Sequence, residues 1–195
     1  PFMGRATNGF ACLEHGREFI GYDVFDKNVN RTQQVMNEYY PDSAFQLFHS
    51  DGTELHELKD KSEYLDAVVT DPPYFLKAEK YSSDGRDLSS MSHEDYMDRI
   101  SNCFKQLYRL IKTSKFDEKI FYPVIFKVSH QRRGTQGIVD MDMEFQRVAH
   151  DCGFVTWDKL FNKLHSPWGT VNWERNYMNK YVQKNYEVNL TFIKF

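Results

Sequence analysis

The sequence predicts an α/β fold on one mostly parallel sheet, and three observations carry that reading. Apolar residues recur alternately at helical and at strand spacing along nearly the whole chain. Acids stand at or just beyond the ends of successive short strands, at Asp23 and Asp51. A third short strand delivers Asp71-Pro72-Pro73-Tyr74 at its carboxyl end, where open α/β sheets place ligands. With 195 residues, of which 41 % are hydrophobic and 16 % aromatic, the chain has the length and apolar content of one domain with its own core. The charge balance, 25 − 28 = −3, excludes a polybasic-tail mode of nucleic-acid binding but leaves room for a local basic cleft. Cys12, Cys103 and Cys152 form no C-x-x-C pair, which argues against a disulfide framework and a zinc cage and for a reducing, cytoplasmic compartment. No apolar run approaches the ~20 residues that span a bilayer.

The elements follow in order. Gly4-Arg5-Ala6-Thr7-Asn8-Gly9 is a turn leading into a short helix with Phe10, Ala11 and Leu13, stopped at Gly16. Residues 18–23 form a strand. A helix capped by Asp26 then sets Val29, Val35, Met36 and Tyr39 on one face and ends at Pro41. Residues 45–48 are the next strand and 65–70 a short buried one. The polar stretch from Phe75 to Met91 reads as a mobile loop. Ser92 opens the clearest helix, with a loose capping box to Asp95 and a stripe of Tyr96, Ile100, Cys103, Phe104, Leu107, Leu110 and Ile111. Residues 124–128 form a strand with Pro123 as its first residue. A further helix carries Ile138, Met141, Phe145, Val148 and Cys152 and stops at Gly153. Two strands, near 155–161 and 187–195, finish the chain. All three cysteines fall on apolar helix faces as core residues, and the seven histidines show no pairing that suggests a metal site.

Two motifs carry chemistry. In Asp71-Pro72-Pro73-Tyr74, the Asp71 carboxylate and the Pro72 carbonyl are placed to accept the two hydrogens of a conjugated exocyclic amine. That pulls its nitrogen toward tetrahedral geometry and aims the lone pair at an electrophile. The prolines stiffen the backbone, and Tyr74 offers a flat face for a stacked base. Read blandly, the same four residues are a rigid turn with a core tyrosine. The second motif, Gly4-x-Ala6-x-x-Gly9, is a glycine fingerprint with alanine at its second glycine. Asp23 lies about the ~20 residues downstream at which such folds place a ribose-binding acid. Asp51 marks the same sheet edge one strand later, with an Asx-turn or a helix cap as the less favoured alternative for an aspartate there.

Taken in order, Phe2-x-Gly4-x-Ala6-Thr7, Asp23, Asp51 and Asp71-Pro72-Pro73-Tyr74 resemble the class I S-adenosylmethionine-dependent amino-methyltransferases of DNA. The resemblance implies a Rossmann-like sheet with an antiparallel terminal strand and S-adenosyl-L-methionine as cofactor. It implies that Pro1, Phe2, Gly4, Ala6 and Thr7 wrap the methionine part, that Asp23 binds the ribose and that Asp51 lies near the adenine. Asp71 would contact both cofactor and target, and Asp71, Pro72, Pro73 and Tyr74 would hold the target amine. Adenine N6 is favoured over cytosine N4 because the motif opens with Asp, and a restriction-modification setting follows. The alternatives are a base amine in RNA, a protein glutamine, a nicotinamide-binding oxidoreductase that would leave the second motif without a task, and a binding-only relative.

A duplex base reaches such a pocket only when flipped out, so phosphate-gripping groups are expected around it. Arg132 and Arg133 are the best candidates, followed by Lys127, His130 and Gln131, by Lys77 and Lys80, and by Lys163, His165, Arg175 and Lys180. Trp168, Asn172, Trp173 and Tyr177 fall where the resembled family lines its target-base pocket, though a hairpin core would also use aromatics. Each basic cluster is by default a solvated surface, and nucleic-acid contact is the less common alternative. In that family a central strand runs between the strands that end here at Asp23 and Asp71. No segment of residues 1–195 supplies it, so the chain is expected to be N-terminally incomplete. Site selection is expected to come from further sequence or from a partner, or to be low.

Overall fold

The computed structural model describes residues 1–74, 83–128, 131–132, 138–163 and 186–195, with 131–132, 138–139, 163 and 186 described by backbone alone. Its elements are α1 (Thr7–Glu14), β1 (Phe19–Asp23), α2 (Asp26–Tyr39), β2 (Phe45–His49), β3 (Val68–Thr70), α3 (His93–Leu110), β4 (Val124–Val128), β5 (Gln131–Arg132), β6 (Ile138–Val139), α4 (Met141–Asp151), β7 (Val155–Lys163) and β8 (Tyr186–Ile193). Among the described residues no helix is long and apolar enough to cross a membrane.

β1 and β2 pair in parallel as one sheet. A second sheet has the order β3-β4-β8-β7, parallel between β3 and β4 and antiparallel at both contacts of β8. β5 and β6 form a separate small ribbon. β1 and β3 are not paired with each other, and among the described residues no strand lies between them. Residues 1–3 bridge this seam: the Met3 amide donates to the Tyr22 carbonyl at 2.8 Å, and the Thr70 hydroxyl donates to the Pro1 carbonyl at 2.6 Å.

The core forms where apolar faces meet. The α3 stripe is buried throughout, from Tyr96 to Ile111. Phe104 lies at its centre, stacked on Phe126 of β4 at 4.5 Å between ring centroids and edge-on to Phe192 of β8 at 5.4 Å. Such pairs contribute about 0.5–1.5 kcal/mol each beyond area burial. Ser92 caps α3, its hydroxyl oxygen accepting from the Asp95 amide at 3.1 Å. A smaller cluster of Ala6, Leu13 and Met36, with Met3, Phe10, Phe19 and Leu47 against it, joins α1 and α2 to β1 and β2.

Several expectations change. Thr32 rather than Tyr39 completes the buried stripe of α2 with Val29 and Met36, while Tyr39 is 68 % exposed. Positions 29, 32 and 36 keep the i, i+3, i+7 spacing of one face, while Tyr39, the last residue of α2, is left exposed. Asp26 is the first helical residue, not the cap. The cap position is Phe25, without a side-chain cap bond, and just before it Asp23 Oδ1 accepts from the Phe25 amide at 2.8 Å. β3 is shorter than residues 65–70, Leu65 making only an isolated bridge to Ile111, and alternation leaves Val69 on an open face at 51 % exposure. Leu88–Ser90 is a 3₁₀ turn capped by Asp87 with Leu88 and Ser89 buried, so this part of the expected mobile loop is packed, and residues 75–82 lie outside the described residues. Ile138 belongs to β6 and Cys152 to the cap of α4, which leaves α4 at Met141–Asp151. Of the cysteines only Cys103 is fully buried.

Candidate active site

Three strand ends and one loop converge at the carboxyl edge of the parallel strands. Asp23 is the last residue of β1, Asp51 follows β2 by two residues, and Asp71 follows β3 directly. The loop of residues 1–6 is wound in left-handed steps, with φ of +55° at Phe2, +53° at Gly4 and +55° at Ala6. Only glycine adopts that conformation without a steric cost, so Gly4 fits and Ala6 is strained. The Gly4 amide donates to Asp23 Oδ2 at 2.8 Å, which locks loop to strand. At the third fingerprint glycine, Gly9, an added Cβ would lie 2.6 Å from the Phe19 ring, so the missing side chain lets α1 settle on β1. At Gly52 a Cβ would come within 3.0 Å of Pro1, which rests there beside the loop after β2.

Asp51 is buried at 6 % exposure and heavily engaged. Its Oδ1 accepts from the Thr53 amide at 2.8 Å and the Thr53 hydroxyl at 2.7 Å, and its Oδ2 from Arg99 Nη1 at 3.1 Å. Arg99, on α3, also reaches Glu54 at 3.1 Å. These contacts make Asp51 the hub of an Asx-turn. A carboxylate offers about four acceptor directions, and three are filled here, so one further donor can be taken. Asp23 is similar, with Gly4, Phe25 and a longer contact to Asn28 Nδ2 at 3.4 Å.

The tetrapeptide forms the second half of the site. Asp71 extends the β3–β4 register to stand beside Lys127 of β4, whose Nζ lies 3.3 Å from Asp71 Oδ2 and 2.8 Å from Glu187 Oε2 of β8. The Tyr74 hydroxyl donates to Glu187 Oε1 at 3.3 Å. The hydrogen bond to Glu187 raises the pKa of Lys127 above its ordinary value, against the opposing effect of burial. A small cavity next to these groups is lined by Pro72, Tyr74, Tyr96, Lys127, Met141 and Phe145. Burial drives the Tyr96 hydroxyl far above its usual pKa, with the neighbouring Tyr74 and Asp71 adding to the effect, so it remains a neutral phenol.

Pro1, Phe2, Gly4, Ala6, Thr7, Asp23, Asp51 and Asp71–Tyr74 therefore lie along one edge of the fold. Glu187 and Arg99 belong to the same constellation and escaped the sequence reading. Their signal was indirect: Lys127 is a charge inside an otherwise apolar strand, which calls for a counter-charge on a neighbouring strand. Lys127 itself, grouped above with the phosphate-gripping residues, turns to the site carboxylates instead. Arg132 lies on β5, described by backbone only, as are Gln131 and Lys163. Arg133, Lys77, Lys80, His130, His165, Trp168, Asn172, Trp173, Arg175, Tyr177 and Lys180 lie outside the described residues. Among the described residues no cluster of His, Cys, Asp or Glu could hold a metal ion.

No family model matches the sequence, and no curated protein matches it. Solved structures do resemble the fold. A SAM-dependent methyltransferase from Methanosarcina mazei superposes with a TM-score of 0.61 at 10 % identity, over 100 % of this chain and 90 % of that one. A candidate DNA modification methylase from Thermus thermophilus, complexed with S-adenosyl-L-methionine, gives 0.51 at 15 % identity, over 74 % of this chain and 53 % of that one. The cytosine-N4-specific PvuII DNA methyltransferase gives 0.51 at 18 % identity, over 75 % and 48 %. The chain thus spans about half the length of these two DNA-methylase structures. At such identities the likeness is one of fold, and that fold is the Rossmann-like class I methyltransferase fold.

Proposed function

We propose that this chain binds S-adenosyl-L-methionine and transfers its methyl group to an exocyclic amine of a flipped-out DNA base, with adenine N6 as the preferred target. The observation that carries the reading is the convergence of the left-handed loop, Asp23 and Asp51 with Asp71-Pro72-Pro73-Tyr74 on one sheet edge, joined by the Thr70–Pro1 hydrogen bond. Oxidoreductase chemistry would leave the second half of that edge without a task.

The donor set fits the cofactor. Asp23 and Asp51 each keep one acceptor direction, suited to a ribose hydroxyl and an adenine amine respectively, and Gly4 has no atom within 4 Å of where a side chain would begin. When bound, the cofactor supplies an electrophilic methyl on a sulfonium. The chain supplies position. Asp71 and the Pro72 carbonyl accept the amine hydrogens and turn the nitrogen lone pair toward the loop side of the site. Tyr74 stacks on the base and keeps water from its face. An amine nitrogen that took the methyl from the sulfonium would be left as an acidic ammonium, and Asp71 or water would take its proton. The same reading expects the seam between β1 and β3 to take a further parallel strand that would join the two sheets, and site selection to come from outside the described residues.

The test uses purified protein, tritiated S-adenosyl-L-methionine and mixed-sequence duplex DNA or RNA. Label entering DNA, lost in Asp71→Ala while cofactor binding by calorimetry persists, supports the proposal. Label entering RNA but not DNA replaces the substrate, and absence of cofactor binding refutes the pocket.

A further inference from the structure

Lys127 and Glu187 have no part in the amine-binding geometry just described, yet both are held against it. They lie on neighbouring antiparallel strands: Lys127 is opposite Asn189, and Glu187 is two residues along on the same face, a diagonal cross-strand pair. From that face Lys127 Nζ bonds Glu187 Oε2 at 2.8 Å and approaches Asp71 Oδ2 at 3.3 Å, while Glu187 Oε1 accepts from the Tyr74 hydroxyl at 3.3 Å. The contacts run Asp71–Lys127–Glu187–Tyr74, so the two ends of the tetrapeptide are tied together through two strands that the tetrapeptide does not belong to.

Resting on the methyl-transfer reading, we infer that Lys127 and Glu187 are positioning residues of this site. Lys127 holds Asp71 through Oδ2 and so fixes the direction in which the carboxylate meets the amine, and Glu187 sets the plane of Tyr74 while neutralising Lys127. Charge supports this role: Lys127 stands between two carboxylates, with Asp71 Oδ2 at 3.3 Å and Glu187 Oε2 at 2.8 Å. Without Lys127 two carboxylates would face each other across the gap, and like charges at such range favour protonation of one of them. A protonated Asp71 offers a hydrogen where the amine needs an acceptor. Glu187 is the more enclosed partner, its side chain 14 % exposed against 39 % for Lys127, so the lysine is anchored from the β8 side and reaches toward Asp71. Tyr96 also stands near Asp71 and Tyr74 but is kept neutral by burial and does not alter this balance.

The experiment compares the wild type with Lys127→Met, Lys127→Arg and Glu187→Gln. The Asp71 carboxyl is followed by carbon-13 NMR against pH, with Asp71→Asn to assign the signal. Because the pair is partly solvated, Lys127→Met is expected to raise the Asp71 midpoint by about half a pH unit or more, and Lys127→Arg to restore it. With tritiated S-adenosyl-L-methionine and duplex DNA, Lys127→Met is expected to lower kcat about tenfold or more with KM for the cofactor within about twofold, and Glu187→Gln to shift kcat in the same direction. An unmoved Asp71 midpoint overturns the inference. So does an unchanged kcat accompanied by weaker, more salt-sensitive DNA binding, which would make Lys127 a phosphate contact. If the wild type binds no cofactor, the methyl-transfer reading fails, and the carboxyl titration alone decides whether the relay holds Asp71.

Discussion

Replacing Gly9 by alanine tests the packing that brings the loop to the sheet. Gly9 is the third residue of α1, buried, and a Cβ built on it would stand 2.6 Å from Cε1 of Phe19 and 2.8 Å from Cδ1 and Cζ. Helix propensity alone favours alanine by at most about 1 kcal/mol, and by less in a first turn. Against it stands overpacking, which costs about 1–3 kcal/mol when a neighbour must leave its rotamer. Phe19 has little room to yield, since it opens β1 opposite Phe45 and packs in the cluster under α1 and α2. The net expectation is a loss of about 1–2 kcal/mol, which for a chain of this size lowers Tm by about 2–8 °C. Thermal and urea unfolding measure it, and a cycle with Phe19→Leu isolates the cause. Shortening the ring should relieve the clash, so the double variant should recover about 1 kcal/mol relative to the sum of the single effects. A Gly9→Ala protein as stable as the wild type, or additive behaviour in the cycle, refutes the close approach of α1 to β1.

Three further outcomes are expected. Gly4→Ala meets no atom within 4 Å, so its cost comes from φ of +53° alone; urea unfolding should show a loss of about 1 kcal/mol after the reduced entropy of the unfolded chain is counted. Cys103, fully buried with its thiol pushed up to about 12, should react with Ellman's reagent only as fast as the protein unfolds, and a fast native-state reaction in Cys12→Ser/Cys152→Ser protein would contradict its burial. The Asp84 carboxyl is held near 2 chiefly by its hydrogen bonds from Arg86, so it stabilises the fold above the ordinary value of 3.8 and ceases to as pH falls from there toward 2. Melts of Asp84→Asn against wild type should differ slightly at neutral pH and converge through that window, and a gap that widens on acidification would reverse the assignment.

Much of this was legible in the sequence because it is periodic or local. The α3 stripe, the Ser92 cap and the acid-ended strands follow from spacing and side-chain chemistry, and the structure agrees with them residue by residue. Ala6 illustrates what spacing conceals. The sequence shows a methyl in place of a glycine, and only the backbone shows that the position is left-handed at φ +55° and ψ +37°. Ala6→Gly would relieve about 1–2 kcal/mol of strain but surrender about 0.8 kcal/mol of buried methyl and a similar amount of chain entropy, so the alanine persists at little net cost. Glu187 was hidden for a different reason. It meets Tyr74 from 113 positions away, and a pairing set by strand order leaves no mark in local sequence.

The seam between the two sheets has a consequence for cooperativity. Among the described residues no ladder of backbone hydrogen bonds crosses it, and residues 1–3 act as a hasp between two plates, with Met3 fastened to β1 and Pro1 to β3. Asp23 and Asp51 belong to one plate and Asp71 to the other. A ligand gripped by all three, as proposed above, would be a cross-brace, its affinity linked to how rigidly the plates are joined. The strand that the same reading expects in the seam would brace the same two plates, so strand and ligand would each tighten the other's hold.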